Sequence, residues 1–323
     1  MNGKVALIPG EGVGQEILDE ARVVLDQVGQ DFGHAFTFEE ARPENGAAEA
    51  LAVCRRADAA LCGAGNGGSA NSQFLALIRR ELSLHTLLRP FRIFPPLVRA
   101  LPRRVERFRG VDLLIVSDSR DVPSRPQVAL ERAFELASRR WHLVTSVDAA
   151  TGGESFPAWR EAALEVAERR YRGGVRLEHV ALEHAALRFV TSPTRFDVVV
   201  APAPVADVLI DRAATLGGSP WLQSGAAVGD GSFGLYGPLA GPAPAMPRGA
   251  ANPVGGILAA ALLLRHSLGL EREASAVEAA VAAAIAHGAR TADLSSDRPL
   301  TTRAMGEAIR ANLATDFSTS RAI

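Results

Sequence analysis

An apolar strand that turns directly into a helix limits this chain more than any other feature. From Phe196 the sequence reads FDVVVAPAPVADVLIDRAATLGG, followed by a glycine- and proline-rich loop that ends AANPVGGILAA. The pattern predicts a strand over Asp197–Ala201, a short loop, and a helix carrying Asp207 and Asp211. The same order recurs upstream: strand Val5–Ile8, helix Gly14–Val28, a polar stretch, helix Gly46–Arg56, strand Ala59–Cys62. A second series has strand Val111–Val116, helix Pro126–Arg140, strand His142–Ser146, helix Phe156–Arg170 and helix Leu182–Val190. Strands alternating with helices predict an α/β architecture, with helices packed on a sheet. The end of the chain reads as helical over Pro253–Leu268 and Ala274–Ala286. Gly225–Gly249, rich in Gly, Pro and Ala, reads as a loop on a surface or around a ligand.

A chain of 323 residues can bury a substantial core, and two lobes are the expectation. A net charge of −1 provides no general attraction to nucleic acid or to an acidic membrane. The arginine-rich run Arg89–Arg109 contains prolines and reads as a solvated loop and helix face, not as a nucleic-acid contact. Cys54 and Cys62 are the two cysteines, too few for a disulfide framework, so reduced thiols in a cytoplasmic protein are expected. The N-terminus runs straight into a strand without a signal-peptide pattern. The apolar run Gly255–Leu264 is too short to span a membrane and reads as a buried helix.

Residues i and i+4 of a helix are neighbours, so Asp207 and Asp211 can grip one hard cation through oxygen. Ala206-Asp207-Val-Leu-Ile-Asp211 resembles the metal-binding helix of the isocitrate/isopropylmalate dehydrogenase family, the β-decarboxylating dehydrogenases. Further motifs follow in order along nearly the whole chain. VALIPGEGVGQEIL at Val5–Leu18 is similar to the family's opening strand and glycine turn. Leu88-Arg89-Pro90 looks like its substrate-arginine motif, Ser146-Val147-Asp148 starts its lysine segment, and Ala251-Asn252-Pro253 closes its cofactor loop. Arg290-Thr291-Ala-Asp-Leu and Thr302-Arg-Ala-Met-Gly306 fit its last strand and helix.

The resemblance implies an isopropylmalate dehydrogenase-like, two-lobed α/β fold, a central twisted sheet flanked by helices. One lobe would hold residues 1–88 and 217–323, the other residues 89–216, with the active cleft between them. It implies a homodimer, a small carboxylic-acid ligand, Mg²⁺ or Mn²⁺, and NAD or NADP. Asp207 and Asp211 would hold the metal together with Glu183, supplied by the neighbouring subunit. Glu183 stands where the family has the shorter Asp. Arg79 and Arg89 match two of three substrate arginines, whose planar forks suit carboxylates; Ser117 stands at the third. Asn252 would touch the cofactor.

The proton-handling groups depart from that pattern. The family's lysine position is Ala149, and the loop Ser117–Ser124 lacks its tyrosine. General acid–base groups contribute about 10²–10⁴-fold each, so losing both should cripple the standard reaction. The cofactor loop reads Ala240-Gly-Pro-Ala-Pro-Ala245, with alanine at the family's His and Asp, and Thr151 replaces an asparagine. His184, Asp148 and Asp118 are the side chains near enough in sequence to be considered as substitute bases. Three readings follow. The first is a divergent metal-dependent enzyme that decarboxylates or enolises a small hydroxy or keto acid. The second is an NAD(P)-dependent oxidative decarboxylase with a relocated base. The third is a non-catalytic subunit that partners an active homologue.

Overall fold

A computed structural model describes residues 1–63, 70–98, 105–122, 125–149, 155–171, 174–238, 246–295 and 297–313. It divides into two compact units, Met1–Leu84 with Ser219–Ile323, and His85–Gly218. The first unit begins with β1 (Asn2–Ile8), α1 (Gly14–Phe32), β2 (Ala35–Glu40), α2 (Ala47–Arg56), β3 (Ala59–Cys62) and α3 (Ala70–Glu81). The second unit contains β4 (Thr86–Arg92), α4 (Pro95–Val98), β5 (Asp112–Asp118), α5 (Pro126–Ala137), β6 (Leu143–Asp148), α6 (Ser155–Arg170), β7 (Arg176–Ala181), α7 (Leu182–Thr191), β8 (Val198–Ala201) and α8 (Ala203–Gly217). The chain then returns to the first unit with β9 (Gly225–Val228), β10 (Gly234–Gly237), α9 (Val254–His266), α10 (Glu271–Ala286) and α11 (Thr302–Arg310).

Strand order in the first unit is β2-β1-β3-β10-β9, parallel except for the β10–β9 pair. In the second unit it is β4-β5-β8-β6-β7, parallel except for β4 on β5. The expected α/β class is therefore present, with helices packed on mixed sheets. In β8, Val199 and Ala201 join a core with Phe189 of α7 and Leu209 and Ile210 of α8. Val198 and Val200 point to the opposite face by the two-residue period, and they too are fully buried. That continuous apolar run is the signature of a strand covered on both sides.

Three sequence expectations are corrected here. Gly225–Gly249 is not all loop: β9 and β10 form an antiparallel pair, and all their residues are buried. Small residues disguised these strands as loop, yet only small residues fit. A Cβ on Gly237 would collide with the Cys62 sulfur and backbone, and one on Gly234 with the Tyr236 ring. Arg290–Leu294 is a turn, not a strand, because the Asp293 carboxylate gathers Thr291 Oγ1 at 2.6 Å, Asn252 Nδ2 at 3.1 Å and the Ser219 hydroxyl. The first part of the run Arg89–Arg109 lies in β4, with Phe91, Ile93 and Phe94 buried, so its prolines and arginines punctuate core and not surface alone.

Helix α9 has no polar stripe from Val254 to Leu264, and it packs against α1, α10 and β10. Its glycines permit the approach. A Cβ on Gly255 would sit 2.5 Å and 2.6 Å from the carbonyl oxygens of Gln223 and Trp221. Since both neighbours are backbone, Gly255→Ala is expected to destabilise by roughly 1–3 kcal/mol, measured by urea denaturation; an unchanged midpoint would refute the close packing.

Candidate functional site

Strands β5, β8, β6 and β7 run parallel, so their carboxyl ends lie along one edge of the second unit's sheet. At that edge stand Ser117 and Asp118, Ala201, Asp148 and Ala149, and Ala181, from which α8 and α7 depart. Carboxyl ends of strands are where open α/β sheets place ligands. Strand β4 runs antiparallel to β5 and sets Arg89 opposite Ile115, whose side chain belongs to the core beneath α7 and α8. Arg89 is thus directed toward α8.

Asp207 lies in the second turn of α8 and receives two guanidinium groups. Arg89 Nη1 is 3.4 Å from Oδ1, and Arg120 Nη2 donates to Oδ2 at 2.7 Å. The arginine in this arrangement that sequence reasoning passed over is Arg120. It sits inside the loop Ser117–Ser124, which was read for Ser117, Asp118 and the missing tyrosine, and its charge beside Asp118 and Asp121 was the available signal. Asp211 is exposed one helical turn further on. Glu183, in the first turn of α7, is exposed, as is His184 beside it. Among the described residues, no three His, Cys, Asp or Glu side chains are gathered so as to hold a metal ion. With its carboxylate already balanced by two arginines, the donor set in this arrangement does not fit Mg²⁺ or Mn²⁺, which need oxygens free to turn toward them.

Both aspartates considered as substitute bases are tied into the fold. Asp118 Oδ1 accepts the Ala203 N–H at 2.7 Å, capping α8 where Pro202 offers no side-chain acceptor. Asp148 is buried and grips Arg160 of α6 with both oxygens, Oδ1 accepting Nη2 at 2.9 Å. Ala149, next along the chain, packs its methyl against the α7–α8 core. His179 on β7 was also overlooked. Both its ring nitrogens are buried without a hydrogen-bond partner, and its pKa is lowered, first by burial and then by the Arg160 charge, against the opposing pull of Asp148. That ring is neutral at pH 7.

The other candidates belong to the first unit. Arg79, in the last turn of α3, lies near enough to the end of β3 for its charge to act on Cys62. Burial nevertheless raises the Cys62 thiol to about 12, and Cys54 likewise, so both free cysteines are protonated and unreactive. Asn252 is fully buried at the start of α9; its Oδ1 accepts the Val254 N–H at 3.1 Å while its amide donates to Asp293. The altered cofactor loop Ala240–Ala245 and Thr151 lie outside the described residues. No helix among the described residues is long and apolar enough to cross a membrane.

The isocitrate/isopropylmalate dehydrogenase family model matches residues 4–121 and 127–309. The chain is 39% identical to the 3-isopropylmalate dehydrogenase of Anaeromyxobacter dehalogenans, over 97% of its length and 100% of the relative's. It is 34% identical to the enzyme of the same name from Bacillus subtilis, over 99% and 100%. Among solved structures, a β-decarboxylating dehydrogenase from Thermococcus kodakarensis superposes with a TM-score of 0.78 at 26% identity, covering 96% of each chain. Isocitrate dehydrogenase from Methylococcus capsulatus shares the fold at a TM-score of 0.82 and 24% identity, over 96% and 99%.

Proposed function

The chain belongs to the isocitrate/isopropylmalate dehydrogenase family, and from that premise we propose that it binds a small malate-type hydroxy or keto acid without carrying out ordinary NAD-dependent oxidation. The observation that carries this reading is Ala149. A partly buried methyl resting against apolar core stands where the family's lysine would manage protons, and both neighbouring aspartates are tied into the fold. What favours an acid ligand is Arg89, a guanidinium only 14% exposed on a strand that faces α8, where a carboxylate gains charge-assisted hydrogen bonds.

Metal-assisted decarboxylation or enolisation belongs to this reading only in a state where Asp207 has left its arginines. NAD or NADP stays a minor part of it, since Asn252 spends both ends of its side chain within the first unit. A non-catalytic subunit is the alternative that one observation favours. Leu187 and Val190 of α7 and Val208 of α8 are 61%, 49% and 40% exposed on helices that pack together, an apolar surface suited to another subunit. A homodimer, or a pairing with an active homologue, would cover it.

Calorimetric titration with malate-type acids, in EDTA and in Mn²⁺, tests the proposal. Saturable acid binding is expected, weakened about tenfold or more by Arg89→Gln, because a charged hydrogen-bonded partner contributes about 1.5–3 kcal/mol. Absence of acid binding under both conditions would end this reading and leave the subunit alternative.

A further inference from the structure

We propose that a pocket at the amino end of β7 binds phosphate, as the free ion or as the phosphate group of a small acid, on Arg176, Arg188 and Arg195. The proposal goes beyond the acid-binding reading and uses none of its residues.

Alternation along β7 puts Arg176, Glu178 and Val180 on one face. Val180 joins the core with Phe189 of α7, so that face is the one the helix covers. α7 leaves the far end of β7 and runs back along it, which brings Arg188, in its last turn, onto Glu178. The chain then makes the short turn Pro193–Arg195 and enters Phe196. Arg176, Glu178, Arg188, Arg195 and Phe196 together line a pocket of about 250 Å³. Phe196 is buried, its ring centre 4.7 Å from that of Phe189, so the apolar wall is held by the core.

The charges lining this pocket do not cancel. Arg188 is accounted for: it donates to Glu178, and it sits at a helix's carbonyl end, where a cation is favoured. Arg176 and Arg195 have no ion-pair partner among the described residues, yet they share the pocket. Three guanidinium groups face one carboxylate, and an anion among them would relieve their repulsion. Thr145 pairs in register with Glu178 and points to the same face; its buried hydroxyl has no hydrogen-bond partner, which leaves a further donor beside the acid. Guanidinium forks match phosphate oxygens two at a time. Size narrows the choice. Clefts for drug-sized ligands measure about 300–1,000 Å³, so this smaller one suits a phosphate with a few further atoms and not a dinucleotide. The pocket lies at the amino ends of the parallel strands, the opposite edge of the sheet from Asp118 and Asp148, and is separate from the candidate site.

Calorimetric titration of the full chain with inorganic phosphate and with 2-phosphoglycolate, at constant ionic strength in chloride, tests the assignment. A saturable site is expected. Arg176→Gln and Arg195→Gln should each weaken it about tenfold or more, the scale for losing a charged hydrogen-bond donor. Both positions are exposed, so the variants should fold. Arg169→Gln, which removes an exposed charge elsewhere in the same unit, and Arg89→Gln should leave the affinity unchanged. Tighter binding of 2-phosphoglycolate than of phosphate marks a phosphorylated acid as the ligand; equal or weaker binding marks the free ion. No saturable binding of either probe would overturn the proposal, as would a loss equally large in Arg169→Gln. A loss in Arg89→Gln but not in the pocket variants would overturn it too. Failure of the acid-binding reading appears in a different measurement, the malate titration, and leaves this comparison intact.

Discussion

Replacing Asp197 with alanine is expected to destabilise this protein by roughly 3–5 kcal/mol, the scale for removing one partner of a buried ion pair. Asp197 is completely buried. Its Oδ1 accepts Arg140 Nε at 2.7 Å, and its Oδ2 accepts the backbone N–H groups of Trp141 at 2.9 Å and Leu143 at 3.4 Å. Deleting it removes one of the two carboxylates that face the Arg140 guanidinium, whose Nη2 keeps Asp112 Oδ1 at 2.9 Å, and strands two amides at the entry to β6. Urea denaturation at pH 7 reads the loss; a shift below about 1 kcal/mol would mean that water and the existing Asp112 pairing compensate for the missing carboxylate. The same network predicts acid sensitivity. Burial alone would push the Asp112 carboxyl up, but Arg92 and Arg140 outweigh it and hold the pKa below its ordinary value. A carboxyl depressed in the folded state stabilises fully above its unfolded pKa, and that contribution is lost as pH falls through the folded value. Stability should therefore decline below pH about 4, the ordinary aspartate range, and not between pH 5 and 7 on account of this group.

Assayed with NAD⁺ and the acid named for its relatives, 3-isopropylmalate, the chain is expected to turn over about 10⁴-fold or more slowly than they do. Two proton-handling groups are missing, and each contributes about 10²–10⁴-fold. Ala149→Lys alone should not restore the rate, because the loop after β5 still lacks its tyrosine and Asp207 is still held by Arg120. Steady NADH formation at the relatives' rate by the unaltered chain would favour the reading with a relocated base. The neutral, unpartnered ring of His179 would then be the first side chain to replace.

The long periodic elements were legible before any coordinates. Strand Ala59–Cys62 was bounded correctly, and the helices starting at Gly14, Pro126 and Leu182 began where expected. What escaped were strands whose residues do not look like strand. β9 and β10 are built from Gly, Ala, Leu, Tyr and Val in four-residue pieces, too short for a period to register. β2 reads AFTFEE at the sheet's edge, where most of its side chains meet water and the polar surroundings mask the alternation.

The candidate site divides along the same line. Its alanine at position 149, its missing tyrosine and its acids at Asp207 and Asp211 are matters of residue identity, and sequence by itself determined them. Spacing of four on a helix sufficed to put the two acids on one face. Which charge answers Asp207 depended on a turn between β5 and α5 reaching the start of α8, a neighbour 87 positions away in sequence. Whether Asp118 and Asp148 could act as bases likewise depended on Ala203 and Arg160, partners that no local pattern announces. Chain chemistry is local and can be read letter by letter, whereas the pairing of a charge is a property of distance in space, and only the tertiary structure supplies that.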